Sequence, residues 1–151
     1  MKPAEIEFEY TLVHPCIYIG TNQCCIMDFK KELLRKGVRA DISLENDRVD
    51  TPKGVRYFLW LPTKDNTPPS AHQLELGVSF IRGLVARKIK MYVHCRQGHG
   101  RAPTLVAAYL ISTGMTTDQS IAYLKKRRRV IHLNTKQVKS LRAFERKWWG
   151  K

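Results

Sequence analysis

Two side chains in one short segment have the chemistry of a nucleophile and an anion grip. Cys95 and Arg101 are separated by five residues in His94-Cys95-Arg96-Gln97-Gly98-His99-Gly100-Arg101. An apolar run over 89–93 precedes the segment, and a helix-like run over 102–112 follows it. A strand that ends in a glycine-containing loop and then opens a helix is an anion site. Turn N–H groups converge there, and the helix dipole adds partial positive charge. A thiol at such a helix start, beside a guanidinium, loses its proton readily. Arg101 has the planar fork to hold two phosphate oxygens at once. This layout suits covalent phosphoryl transfer through a cysteinyl-phosphate. The competing reading of Cys95 is a structural cysteine in an ordinary strand-to-helix turn.

The elements that must position this loop follow from hydrophobic patterning. Residues 12–20, closed by Gly20, read as a first strand. Residues 22–36 read as a helix, with Ile26, Phe29, Leu33 and Leu34 near helical spacing and Gly37 as its stop. Residues 38–44 and 56–61 read as strands, and the polar stretch 45–54 between them as a loop. The stretch 61–69 holds three prolines and Asp65, and reads as an irregular loop in which Asp65 is a turn former or a functional acid. Ser70 and Gln73 have capping-box spacing ahead of a helix whose stripe is Leu74, Val78, Ile81 and Val85. The helix after the signature loop tolerates Pro103 in its first turn and stops at Gly114. Thr116 with Gln119 opens the next helix, and Asn134 opens the last. The predicted order is β, α, β, β, α, β and then three helices. This predicts a single α/β domain over 1–151, with a central, mostly parallel sheet flanked by helices and its ligand at the carboxyl end of the central strand.

Composition narrows the class. A chain of 151 residues with 43% hydrophobic residues can bury a core. It has neither an apolar run long enough to cross a bilayer nor a secretory h-region near its start. The four cysteines, Cys16, Cys24, Cys25 and Cys95, show neither a disulfide framework nor zinc-type spacing, so a reduced, cytoplasmic protein without metal or cofactor is expected. Residues 1–86 hold 11 Lys/Arg and 11 Asp/Glu, whereas 87–151 hold 16 basic and 2 acidic residues. The half with the anion loop therefore carries the whole net charge of +14. Such a field steers anionic substrates, although a basic solvated surface has the same composition. Lys125, Lys126, Arg127, Arg128 and Arg129 read either as a solvated helix end or as a contact for a polyanion such as a phosphoinositide or RNA.

The loop resembles the His-Cys-x5-Arg signature of the cysteine-dependent protein tyrosine and dual-specificity phosphatases. The continuation Arg101-Ala102-Pro103 and the run Asn134-Thr135-Lys136-Gln137 look closest to the phosphatases of regenerating liver. The resemblance implies that Cys95 is the nucleophile and Arg101 binds the phosphate and its transition state. It implies that Asp65, thirty residues before Cys95, is the general acid and then the base. It makes Gln137 a candidate for placing the hydrolytic water, beside its reading as a helix cap. Arg96, Gln97, Gly98, His99 and Gly100 then surround the substrate phosphate, with Arg96 and His99 adding positive charge. His94 either tunes Cys95 from the substrate side or packs at the strand end.

Two departures stand out. The family usually has Ser or Thr after the arginine, to stabilise the departing thiolate. Here the residue is Ala102, and one lost hydrogen bond of about 1.5–3 kcal/mol slows phosphoenzyme breakdown roughly ten- to a hundred-fold. The end Trp149-Gly150-Lys151 is not a prenylation box, so the membrane anchor of the regenerating-liver enzymes is not expected. Three functions fit. One is a phosphatase for phosphotyrosine, and also phosphoserine and phosphothreonine, in proteins. The second is a phosphatase for a phosphoinositide or an RNA 5′-phosphate. The third is a slow-turnover phosphate-binding module. A monomer is the default.

Overall fold

The computed structural model describes residues 6–150. One five-stranded sheet runs in the order β1-β2-β5-β3-β4, with β1 at Tyr10–His14, β2 at Ile17–Gly20, β3 at Val38–Ser43, β4 at Tyr57–Trp60 and β5 at Lys90–His94. β1 pairs antiparallel with β2, and all other neighbours are parallel. The helices are α1 (Lys31–Arg35), α2 (Ala71–Ala86), α3 (Arg101–Ser112), α4 (Thr117–Arg127) and α5 (Thr135–Trp149). The expected α/β architecture is therefore present.

Alternation along β5 assigns its two faces. Met91, Val93 and Cys95 join the larger core, against α2 to α5, while Tyr92 joins a smaller core on the opposite face. On β3, Ala40 and Ile42 join the larger core, which leaves Asp41 on the Tyr92 side, where the two residues are register partners. Every residue of α3 is buried, because the sheet and helices α2, α4 and α5 surround it. Leu105 and Ile111 are each fully buried, which contributes about 1.5–3 kcal/mol per side chain. α3 is thus a rigid mount for the end of the loop that precedes it.

The capping boxes at Ser70, Thr116 and Asn134 all form, each with both reciprocal bonds. Gly114, at φ +124°, ends the α3 region in the left-handed conformation that glycine favours.

Two elements differ from the expectation. Residues 12–20 are not one strand but a hairpin of β1 and β2, with its turn at Pro15 and Cys16 and a register shift at His14. Proline supplies no N–H for the ladder, so the run breaks there. Residues 22–36 hold only a 3-10 turn at Asn22–Cys24 and the short α1. Ile26, counted with the apolar stripe, is exposed, as is Met27, whereas Cys24, Cys25 and Phe29 are buried under the sheet. The Lys30 amide donates to the Cys24 carbonyl, and Asp28 bridges to Lys53, so irregular backbone covers this face.

Candidate active site

Residues 95–100 form a loop between the carboxyl end of β5 and the N-terminus of α3. Its carbonyls are held from outside. The Asn22 amide donates to Arg96 O at 3.0 Å, and the His132 amide to His99 O at 2.8 Å. Arg128 donates from Nη2 to Gln97 O at 3.0 Å and from Nε to Gly98 O at 3.1 Å. No amide of residues 96–100 finds an acceptor among the described residues. With their carbonyls tied outward, these N–H groups remain free for an anion. α3 begins at Gly100 without a side-chain cap, so its positive end is open to the same place. Gly98 has φ +72°, and a Cβ there would lie 2.8 Å from Gly20 O, so the turn requires glycine.

A cavity of about 370 Å³ opens over the loop. It is lined by Cys95, Arg96, Gln97, His99, Gly100 and Arg101, by Asp65 and Asn66 from the proline-rich loop, and by His132, Asn134 and Gln137. Of the residues expected at the phosphate, Gly98 and His94 do not line it. Gly98 shapes the turn from behind, while Cys95 and Arg101 are 3% and 5% exposed.

Arg101 Nη1 donates to Thr63 O at 2.9 Å and to Leu44 O at 3.4 Å, and its Nε lies 3.6 Å from Asp65 Oδ1. The Asp65 side chain is largely exposed. The Asn134 side chain donates to Asn66 O at 2.8 Å, so the proline-rich loop is clasped from both sides. The two readings of Gln137 coexist. Its Oε1 accepts the cap bond from the Asn134 amide at 3.0 Å, while its Nε2 lies toward Gly100 and the cavity. Thr104 spends its hydroxyl on Gly100 O at 2.7 Å, and Ala102 is fully buried.

His94 is not a substrate contact. It is fully buried on the side of the sheet away from the cavity, with Nδ1 3.3 Å from Cys95 O and Nε2 2.6 Å from Asp50 Oδ2 and 3.1 Å from Asp41 Oδ1. The strand alternation puts its ring opposite to the Cys95 side chain, which is why it cannot face the same space. Burial alone would lower the pKa of His94, but the carboxylates of Asp41 and Asp50 hold it well above the usual range. Burial pushes Asp41 up to about 7 against the pull of His94. Burial and the neighbouring Arg128 lower the pKa of His99, which disfavours the positive charge expected there.

Two further readings change. Arg128 is not a free member of the basic cluster. It is buried and also donates from Nη1 to Glu9 Oε2 at 2.7 Å and to Thr11 Oγ1 at 3.0 Å, while Lys125, Lys126, Arg127 and Arg129 are exposed. Cys24 and Cys25, read as reduced thiols outside any cluster, are joined as a vicinal disulfide. They lie with Asp41, Asp50 and His94 in one buried group. Both cysteines sit in the smaller core under the sheet. The places of Asn66 and His132 at the cavity, the bonds of Arg128 to the loop and the grouping of Asp41, His94 and Asp50 are not legible in the sequence, since each depends on distant segments meeting.

Arg128→Ala should destabilise the fold by about 1–3 kcal/mol, because it strips partners from Gln97 O and Gly98 O. It should also raise KM for an aryl phosphate more than it lowers kcat. A melting curve and steady-state kinetics check both effects, and an unchanged KM would remove Arg128 from support of the loop.

Comparisons with known proteins place this geometry. The family model for the dual specificity phosphatase catalytic domain matches residues 17–147. The chain is 28% identical over 152 residues to human protein tyrosine phosphatase type IVA 3, covering 97% of this chain and 87% of that protein. The regenerating-liver resemblance corresponds to these type IVA relatives. A crystal structure of PTPMT1 superposes with a TM-score of 0.79 at 26% identity, over 94% of this chain and 97% of that one. A second, of PTPMT1 in complex with PI(5)P, has a TM-score of 0.79 at 23% identity, over 93% and 97%. The chain therefore belongs to the dual specificity phosphatase catalytic-domain family and is a cysteine-based phosphatase.

Proposed function

We propose that residues 1–151 form one catalytic domain that hydrolyses phosphotyrosine, and also phosphoserine and phosphothreonine, in proteins. The supporting observation is the loop itself. Four consecutive carbonyls, from Arg96 to His99, are bonded outward, so free amides ring the space between Cys95 and Arg101. The amides and the Arg101 fork hold the three non-bridging phosphate oxygens, and their charge stabilises the transition state. Cys95 Sγ attacks phosphorus in line with the ester oxygen. Asp65 gives that oxygen its proton, so the S–P bond forms as the P–O bond breaks. Gln137 then holds a water against the cysteinyl-phosphate. Asp65 takes the water's proton, and phosphate leaves as the thiolate returns. Arg96, Gln97, His99 and Gly100 border the bound group, and His94 acts only through the Cys95 peptide.

A stopped-flow assay with p-nitrophenyl phosphate tests the scheme. A burst of about one nitrophenol per enzyme, followed by slower release, is the expected trace, because breakdown lacks the hydroxyl that Ala102 replaces. Ala102→Ser should speed the second phase about ten- to a hundred-fold and shrink the burst. Thr104 cannot take this role while its hydroxyl is bound to Gly100 O. Asp65→Asn should lower turnover about 10²- to 10³-fold and flatten the limb on which activity falls with rising pH. The loss should be greater for phenyl phosphate, whose leaving oxygen needs the proton more. A wild type that binds phosphate and shows neither burst nor turnover would favour the binding module.

A phosphoinositide is the second reading. It rests on Arg96, exposed at the cavity mouth, and on the complex of PTPMT1 with PI(5)P. A phosphoinositide substrate should lose affinity more steeply with salt than a singly phosphorylated peptide, since more charges are neutralised on binding. The exposed members of the 125–129 cluster are placed to add to that field. No helix of the described residues is long and apolar enough to cross a membrane.

A further inference from the structure

Behind the sheet from the cavity, five side chains from four separate segments converge. They are Cys24 and Cys25 from the cover of the smaller core, Asp41 from β3, Asp50 from the following loop and His94 from β5. All five are buried, and their donor atoms lie within 4.8 Å of one another. We propose that, with the cysteine pair reduced, this group binds one divalent metal ion of the zinc class through both thiolates, the His94 imidazole and a carboxylate.

Two sulfurs, one imidazole nitrogen and one carboxylate oxygen make a closed four-coordinate set, which zinc takes in structural sites. Asp41 is 0% exposed, and the 3.1 Å approach of His94 Nε2 to its Oδ1 is its one close cationic contact, with no well-aligned hydrogen bond at either oxygen. Asp50 Oδ1 is also buried and unbonded, with Arg48 Nη2 no closer than 3.9 Å. Two carboxylates sharing one imidazole in a core leave oxygens poorly satisfied, which is costly, and a cation among them offsets that cost.

His94 is oriented as a metal ligand would be. Its Nδ1 lies 3.3 Å from Cys95 O, which can only accept, so that nitrogen carries a proton. Its Nε2 is then directed at Asp50, Asp41 and Cys25 Sγ, at 2.6, 3.1 and 3.6 Å. A metal-bound histidine whose other N–H is tied to a backbone carbonyl is the usual outer-sphere arrangement. A proton on Nε2 is the alternative occupant of the same space.

In the structure the two sulfurs are bonded to each other. A dithiol reductant transfers two electrons and two protons to the pair, becomes a disulfide itself and leaves two thiols. Both thiols release their protons as S–metal bonds form. Because His94 precedes Cys95, the ion would brace the peptide that carries the nucleophile.

The test uses the full chain purified in a dithiol buffer after zinc-supplemented expression. Elemental analysis should find about one zinc per chain. After metal removal by a chelator, Co²⁺ titration should give thiolate-to-cobalt charge-transfer absorption and the intense visible bands of a tetrahedral site. Cys25→Ser should abolish the charge-transfer pattern of two thiolates. Asp41→Asn should weaken Co²⁺ affinity about 10- to 100-fold. Cys16→Ser should change neither. If the variants fail to fold, wild type alone still decides, since chelation should lower its melting temperature and Zn²⁺ should restore it. Two results overturn the proposal. One is a folded, reduced wild type with both thiols titratable, no bound zinc and no cobalt band, which would leave a protonated histidine–carboxylate group. The other is a disulfide that survives the dithiol in the folded chain.

Discussion

Cys95→Ser should abolish turnover of p-nitrophenyl phosphate, with a loss of about 10⁵-fold or more, while the affinity for a phosphotyrosine peptide stays within a few-fold. The two outcomes separate because different atoms carry them. In the proposed scheme phosphate is held by loop amides and by Arg101, and the variant leaves the outward bonds of Arg96, Gln97, Gly98 and His99 in place. In the same scheme bond formation rests on the sulfur alone. A serine hydroxyl there needs a base to take its proton. The adjacent His94 cannot serve, since Nδ1 faces Cys95 O and Nε2 faces Asp50 on the other side of the sheet. Cys95 is 3% exposed, and oxygen is smaller than sulfur, so the substitution costs little packing. Release within about tenfold of wild type would put the nucleophile elsewhere, since an intact nucleophile is worth far more than that. Lost peptide binding would show instead that the sulfur helps shape the loop.

The site was legible where its parts are contiguous or locally paired. Cys95 to Arg101 is a single run between an apolar strand and a helix, so its chemistry can be read without tertiary information. Ser70 with Gln73, Thr116 with Gln119 and Asn134 with Gln137 announce helix starts because the capping bonds close over three residues. Asp65 was reachable only through its spacing to Cys95 and the family resemblance, since a proline-rich loop accommodates a turn-forming aspartate equally well. Residues 22–36 misled because periodicity counts Ile26 as core, whereas the cover of the smaller core buries Cys24, Cys25 and Phe29 and leaves Ile26 exposed. Arg128 was read by its charged neighbours. Its actual partner, Glu9, is 119 residues away, and no local pattern encodes such a bond. Asp41 looks like an ordinary strand residue, and His94 like a part of the signature alone, until β3 and β5 pair and the segment over them supplies two cysteines.

Arg101→Lys should lower kcat/KM for an aryl phosphate about 10³-fold, although the charge is kept. The guanidinium has two tasks that one ammonium cannot share. On one side, Nη1 donates to Thr63 O at 2.9 Å and to Leu44 O at 3.4 Å, which fixes the start of the loop that carries Asp65. On the other side, its Nε has no hydrogen bond and, with Nη2, is left to meet phosphate, where Asp65 Oδ1 now lies 3.6 Å away. Lysine is a compact point charge on a flexible stem. Bound to phosphate, it abandons the Thr63 carbonyl; bound to that carbonyl, it abandons the two-point phosphate grip. Because Arg101 also places Asp65, the losses from Arg101→Lys and Asp65→Asn should not multiply. The double variant should be well above the product of the single effects. Steady-state kinetics of the four proteins, with inhibition by inorganic phosphate, reads both tasks. A loss under tenfold in Arg101→Lys would assign the grip to the loop amides alone. Full multiplicativity would mean that Arg101 acts on phosphate without positioning the acid.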